Sequence, residues 1–463
     1  MKKILFVLIL TVFVLSACGT SATPVPVPTN TPVPLPTEIP VPTATIEPSP
    51  TPMPIGGGGK FIMQVNPLIV PKEFNLQKSA SWFSASSDGT NLKLLGYQIW
   101  NISPDGKHAL TYTSDNKVSL MNLDGTGELP LDDSLDYYII PRSNVGNQTS
   151  LWLQNGDVVV LAREKENPAK FSVNIVSQDG KLKKLEKPSQ IIKTYATFLF
   201  TSPDGKNLYW KNCAKDSCQF YVTALDDSKQ EQILQNPTPQ QDIHISPSGE
   251  YISYMVFPNC YLYKTADNTT KKLIPADGSF AADFCFGNNW SPTEDKLFGK
   301  TKNGYSILNV PDEKITTFSE ITNVGSCSIA NWMPDGKRVF LSVCAEANSK
   351  PHSAFGMGEA GEVYFYMYDF FPTIGARLIN ISDGKVTEYP DMGFCYAVVS
   401  PDSKWVLFDQ CKNEKNLAIA SQLLNLDTKV MIPVFQEFIS DNPKAFAMSN
   451  DNIDRSWLVF WIP

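Results

Sequence analysis

The chain has 463 residues, with 39 Lys and Arg against 47 Asp and Glu, a formal charge of -8 and a sequence pI near 5.1. Hydrophobic residues make up 42% and aromatics 11%, enough for one large packed domain or two ordinary ones. The acidic balance excludes a protein that tracks a phosphate backbone, which needs a basic stripe.

The first element is a targeting segment. Lys2 and Lys3 precede an apolar run from Ile4 to Leu15 that is too short to span a bilayer well. Leu15-Ser16-Ala17-Cys18 follows and resembles the lipobox of bacterial lipoproteins. The resemblance implies cleavage of residues 1–17, acylation of Cys18, and a protein lipid-anchored to a membrane of the cell envelope on its extracytoplasmic side. Two or more acyl chains on one residue anchor stably where a single chain is marginal. An ordinary secretory signal with a fortuitous Cys is the alternative.

Residues 18–59 read as a stalk. Pro alternates with Thr and Val between Ser21 and Pro54, as in Thr23-Pro24-Val25-Pro26-Val27-Pro28. Such a segment buries no core and favours polyproline II, reaching on the order of 100 Å at about 3.1 Å per residue. It reads equally well as a spacer without a length requirement. Gly56 to Gly59 read as a flexible joint before a domain over residues 60–463.

From Ser79 onward, short β runs such as Leu208-Tyr209-Trp210 and Val339-Phe340-Leu341 are broken by two alternating turn types. The first is Ser103-Pro104-Asp105-Gly106-Lys107, repeated at Ser202–Lys206 and Met333–Lys337, with looser copies at Ser246, Ser291 and Ser400 and degenerate ones at Gln154 and Ser449. Pro presets φ, Asp bonds the following backbone, and Gly takes the positive φ that reverses the chain. The second is the Asp-Gly type, as in Asp88-Gly89-Thr90 and Asp124-Gly125-Thr126, the strongest short hairpin signal. First-type turns start at 103, 154, 202, 246, 291, 333, 400 and 449, spaced by 42 to 51 residues except for one interval of 67. That is the period of a four-stranded propeller blade. With strands A to D counted from the channel outward, the first turn joins A to B and the second joins C to D.

The fold class is therefore all-β, an eight-bladed β-propeller, with a seven-bladed ring or two smaller propellers as alternatives. Ser81–Leu95 is a C–D hairpin and Lys444–Trp461 reads as an A–B hairpin, so the two would complete one split blade and leave no free edge. The Pro-Asp-Gly-Lys turns followed by Asp-Gly turns resemble TolB-type, WD40-like propeller repeats. That resemblance implies a binding platform, or an accessory domain of a peptidase, rather than one chemistry.

Eight cysteines remain beyond Cys18, an even number that suggests disulfides in an exported protein. Cys327 and Cys344 lie symmetrically about the turn between them, and Cys395 and Cys411 nearly so. Cys213 and Cys218 flank a B–C connection, and Cys260 and Cys285 would tie neighbouring blades. Bridges 213–218, 260–285, 327–344 and 395–411 are expected, all toward the face carrying the B–C and D–A loops.

The 67-residue interval holds an insertion between Cys344 and Ala376. It includes Glu346, His352 and an aromatic run with Tyr364, Tyr366 and Tyr368, candidate contacts for a carbohydrate or peptide. The other reading is that Tyr364–Phe371 extends a C strand and buries alternate rings. No Gly-x-Ser-x-Gly elbow is present, and His108, His244 and His352 fall in separate repeats. Asp132, Asp133 and Asp136 read as a solvated loop. No catalytic residue, cofactor or metal is implied. The expected role is a non-catalytic binding or scaffolding module for a protein, peptide or glycan at the cell surface, with no nucleic acid. A propeller hydrolase or lyase acting on polysaccharide, or a TolB-like envelope assembly factor, are the alternatives.

Overall fold

The computed structural model describes residues 55–65, 81–112, 117–138, 151–192, 196–214, 217–235, 243–256, 259–273, 284–285, 289–301, 304–318, 330–344, 373–390, 394–412, 417–435 and 457–463. They form eight separate antiparallel sheets, seven of four strands and one of three. Blade 2 shows the plan: Gln98–Ile102, His108–Tyr112, Val118–Asn122 and Leu129–Pro130 lie side by side in chain order. In blade 6 the sheet is Lys296–Thr301, Gly304–Asn309 and Lys314–Phe318, and the innermost position is held by a bridge from Trp290 to Leu297.

Seven apolar clusters join the sheets into a ring. Ile62 and Trp82 of blade 1 pack with Ile99 and Ala109 of blade 2. One cluster runs through blades 2, 3 and 4, from Leu110 through Val160 to Trp210. Others join blades 4 and 5, 5 and 6, 6 and 7, and 7 and 8. The last sets Trp405 and Leu423 of blade 8 against Phe61 and Phe83 of blade 1. Each sheet thus buries both faces against neighbours, and the eight-bladed propeller closes.

The recurrent turn works as its sequence suggests. Ser103 Oγ donates to Asp105 Oδ1 at 2.7 Å, the Lys107 amide donates to the same carboxylate at 3.1 Å, and the His108 amide donates to Ser103 Oγ at 2.9 Å. Gly106 has φ of 69°. The set recurs at Ser202-Asp204, with 2.6, 3.1 and 2.9 Å, and at Ser400-Asp402, with the same three distances. The turn serines are buried, which is why a hydroxyl that satisfies itself locally is placed there. In the C–D turns, Asp88, Asp124 and Asp267 each accept the amide and hydroxyl of the Thr two residues on.

The closing blade divides differently from the sequence expectation. Trp457–Ile462 is its A strand and pairs with Lys60–Val65, which is the B strand; Ser81–Ser86 and Lys93–Leu95 are C and D. The split is one C-terminal strand plus three N-terminal ones, not two plus two. The supposed turn near Ser449 lies outside the described residues. Here the A–B turn is itself broken. Pairing of Lys60 with Ile462 sets Ile462-Pro463 where other blades have Ser-Pro. Gly58, with φ of 80°, supplies the left-handed residue. Gly56 is buried, so the glycines read as a joint are part of the ring's seam.

Cys260 and Cys285 form the expected bridge between blades 5 and 6, with Cα atoms 5.5 Å apart and both residues fully buried. Cys213 stands opposite Cys218 in the register of blade 4, at the B–C end of the sheet. Cys344 and Cys411 are at the ends of B strands and Cys395 is near the start of an A strand, so their backbones share that loop face. Cys327 lies outside the described residues, as do the side chains of the other cysteines in the remaining three expected bridges.

Candidate functional site

The face bearing the A–B and C–D turns holds a cleft of about 410 Å³ between blades 4 and 5. Its blade 4 side is formed by the turn at Ser202 and Asp204, with Lys229 and Glu231 further out. Opposite stand Glu250, Tyr263 and Asn268 of blade 5. A second cavity of about 240 Å³ lies where the A strands of blades 3 to 6 end, lined by Trp152, Ile245 and three turn prolines, Pro203, Pro247 and Pro292. The two share Ser202 and Pro203, so one depression runs from the inner turns outward between the blades.

Blade alternation places these groups. Tyr209 follows the Ser202–Lys206 turn on the B strand Asn207–Ala214 and points away from Leu208 and Trp210, which pack toward blade 3, and toward blade 5, where Tyr263 occupies the C strand Asn259–Lys264. Asp204 sits below the ordinary carboxylate range, chiefly because the Ser202 hydroxyl bonds it, with the Lys206 amide adding to this against partial desolvation. Lys229 pairs with Glu231 at 2.6 Å. The Tyr263 hydroxyl donates to Asn268 Oδ1 at 2.6 Å, and burial, reinforced by the charges of Glu231 and Asp267, raises its pKa. Burial pushes Tyr209 up to about 12. At neutral pH the Asp204 carboxylate is therefore ionised and the two phenols are neutral, a surface suited to hydrogen bonding. Among the described residues no group of three or more His, Cys, Asp or Glu side chains converges as a metal site would.

The residues singled out in the insertion, Glu346, His352, Tyr364, Tyr366 and Tyr368, lie outside the described residues. The strands flanking the insertion are the B and C strands of blade 7, with Cys344 paired to Thr373, so it falls in a B–C connection as expected. Asp136 pairs with Arg163 at 2.9 Å and Asp133 with Lys165 at 3.0 Å, while Asp132 accepts the Ser134 amide at 2.9 Å. Asp132 and Asp133 lie in the loop that was expected, whereas Asp136 belongs to the strand Leu135–Tyr138, and the three do not converge. His108 and His244 lie in strands of separate blades. The cleft itself went unnoticed in the sequence. Leu208-Tyr209-Trp210 is legible as a β run, but nothing local says that Tyr209 will face Glu250.

No protein-family model and no curated protein matches the chain. Solved structures do resemble it. An oligogalacturonate lyase from Vibrio parahaemolyticus is 8% identical with a TM-score of 0.39, covering 73% of this chain and 84% of its own. TolB from Acinetobacter baumannii is 14% identical with a TM-score of 0.29, covering 73% of this chain and 79% of its own. Dipeptidyl peptidase 4 from Porphyromonas gingivalis is 12% identical with a TM-score of 0.45, covering 72% of this chain and 53% of its own. Such likeness concerns the fold alone. The chain is an eight-bladed β-propeller, with TolB and other propeller proteins among its structural neighbours.

Proposed function

We propose that this protein is a binding module of the cell envelope, held to a membrane through lipid on Cys18, that captures a ligand on its propeller without transforming it. The observation that carries the reading is the construction of the cleft between blades 4 and 5. Its inner wall is a structural turn, and Asp204 there is committed to Ser202 Oγ and the Lys206 amide. A surface built from such turns keeps a fixed shape and fixed charges, which favours recognition over proton transfer.

The test is a capture experiment. The native chain and a Cys18→Ser variant are produced in a bacterial host and fractionated. The native chain should sediment with membranes and the variant should be released. The released full-length variant is then applied to peptide and glycan arrays, and retained ligands are analysed by mass spectrometry. Ligand retained with unchanged mass supports the reading. A cleaved or eliminated product, or no retained ligand, overturns it.

A further inference from the structure

Tyr209 is only 5% exposed, with its ring centroid 5.2 Å from that of Phe200 and 6.2 Å from that of Phe220. Its hydroxyl makes no hydrogen bond among the described residues, yet it is not one of the fully enclosed polar atoms: the residue borders the cleft. A buried hydroxyl left without a partner is costly, and one that opens on a cavity is ready for a ligand. Around it the rim is acidic. Asp204, Glu231 and Glu250 contribute three carboxylates against the single ammonium of Lys229. Lys229 reaches only Oε1 of Glu231, so Glu231 Oε2 and the Glu250 carboxylate make no ion pair among the described residues. The aromatic faces are covered, since Tyr209 and Tyr263 are 5% and 2% exposed, so the cleft offers no plane on which a sugar ring could stack.

We propose that the cleft between blades 4 and 5 receives a lysine side chain of a partner peptide, whose ammonium donates to the free Tyr209 oxygen and pairs with the carboxylates of Glu231 and Glu250. This deepens the binding reading above and rests on it. A lysine stem is slim and apolar, as the gap between two sheets requires. Its compact ammonium has three donors, which match one phenolic oxygen and two carboxylates. The carboxylates stand at the exposed rim, where the Glu231 side chain is 41% exposed, so these ion pairs are open to screening by salt, while the phenolic oxygen lies deeper.

The test uses the full-length Cys18→Ser chain and isothermal titration with a defined peptide, acetyl-Gly-Gly-Lys-Gly-Gly-amide, alongside its acetyl-lysine counterpart and a glucosamine trimer. The lysine peptide should bind, and the acetyl-lysine peptide should bind at least about ten-fold more weakly, since one charged contact is worth roughly that factor. Tyr209→Phe keeps the ring packing and removes only the hydroxyl. With an unchanged melting curve, it should weaken binding by about five- to ten-fold. Glu231→Gln should do the same, and added salt should weaken the native chain. Equal binding of both peptides, or native affinity in a folded Tyr209→Phe variant, overturns the proposal. Binding of the glucosamine trimer with a silent lysine peptide overturns it in favour of an amino sugar. If none of these probes binds but an array ligand is captured, the lysine assignment fails and the binding module stands. If nothing is captured at all, both fail.

Discussion

The Ser87 amide donates to the Gly59 carbonyl at 3.0 Å. The same bond joins Leu123 to Lys107, Leu225 to Lys206 and Leu426 to Lys404, each at 2.8 Å, between the residue after a C strand and the residue before a B strand. Gly59 therefore stands where other blades have the turn Lys, and the seam reproduces a turn that elsewhere is unbroken. A Cβ on Gly56 would meet the Ser87 carbonyl oxygen at 2.2 Å, and Gly56 has φ of 71°. Gly205 has a similar φ of 67° with nothing within 4 Å. Gly205→Ala should cost about 1 kcal/mol from backbone strain alone. Gly56→Ala should cost about 2 kcal/mol or more, because strain and clash combine. Denaturant unfolding of the two variants checks the order, and equal losses would show the seam glycine to be under no steric constraint.

The Cys260–Cys285 bridge spans a separation of 25 residues and ties two blades. Cys260→Ser with Cys285→Ser should lower unfolding free energy by about 3 kcal/mol. Reductant should lower the melting temperature of the native chain by more than that of the double variant. A double variant that melts with the native chain would assign the bridge no stabilising role.

Turn hydroxyls are structural. Ser400 is fully buried, donates to Asp402 Oδ1 and accepts the amides of Lys404 and Trp405. Ser400→Ala should cost about 1–2 kcal/mol. Blade 7 has Met333 in that place, and there Arg338 reaches Asp335 Oδ2 through Nε at 3.2 Å and Nη2 at 3.0 Å and also bonds the Ser403 carbonyl of blade 8. Arg338→Lys loses the two-pronged geometry and should cost about 1 kcal/mol, which thermal melting can resolve.

Acid should loosen the outer turns. The Thr90 hydroxyl holds Asp88 below its usual pKa, Thr126 does the same for Asp124 and Thr269 for Asp267. Lys181, with Ser177, brings Asp179 down to about 2. These folded-state values lie below those of the unfolded chain. The stability they contribute is therefore present above the unfolded pKa of about 3.9 and is lost as pH falls from there toward about 2. A chain carrying Thr90→Val, Thr126→Val and Thr269→Val should show a shallower loss of stability between those pH values than the native chain. Parallel curves would reject the assignment.

Particular residues show where sequence reasoning stopped. Asp105, Asp204 and Asp402 announce their turns because a Pro, a carboxylate and a positive-φ residue close a bend within five positions. Cys260 and Cys285 are the pair that remains once the other cysteines are matched about their turns, and their places in successive repeats suit a bridge between blades. The B strand Lys60–Val65 carries no hairpin signal, because its partners, Ser81–Ser86 and Trp457–Ile462, come from beyond an adjoining turn. Tyr209 reads as one more aromatic in a β run, and only the neighbouring blade makes its hydroxyl an unoccupied position.

Taken alone, the amino-acid order determined the two alternating bends, the all-β class and the period of a four-stranded blade, since each is decided by torsion angles and side chains a few residues apart. Tertiary structure decided where the ring is sewn shut and which blades open into a cleft. Both depend on contacts such as Gly59 with Ile462, or the approach of Glu250 to the blade bearing Tyr209. Those distances are set by how eight twisted sheets share their packing around a common axis, a condition that no local window of the chain encodes.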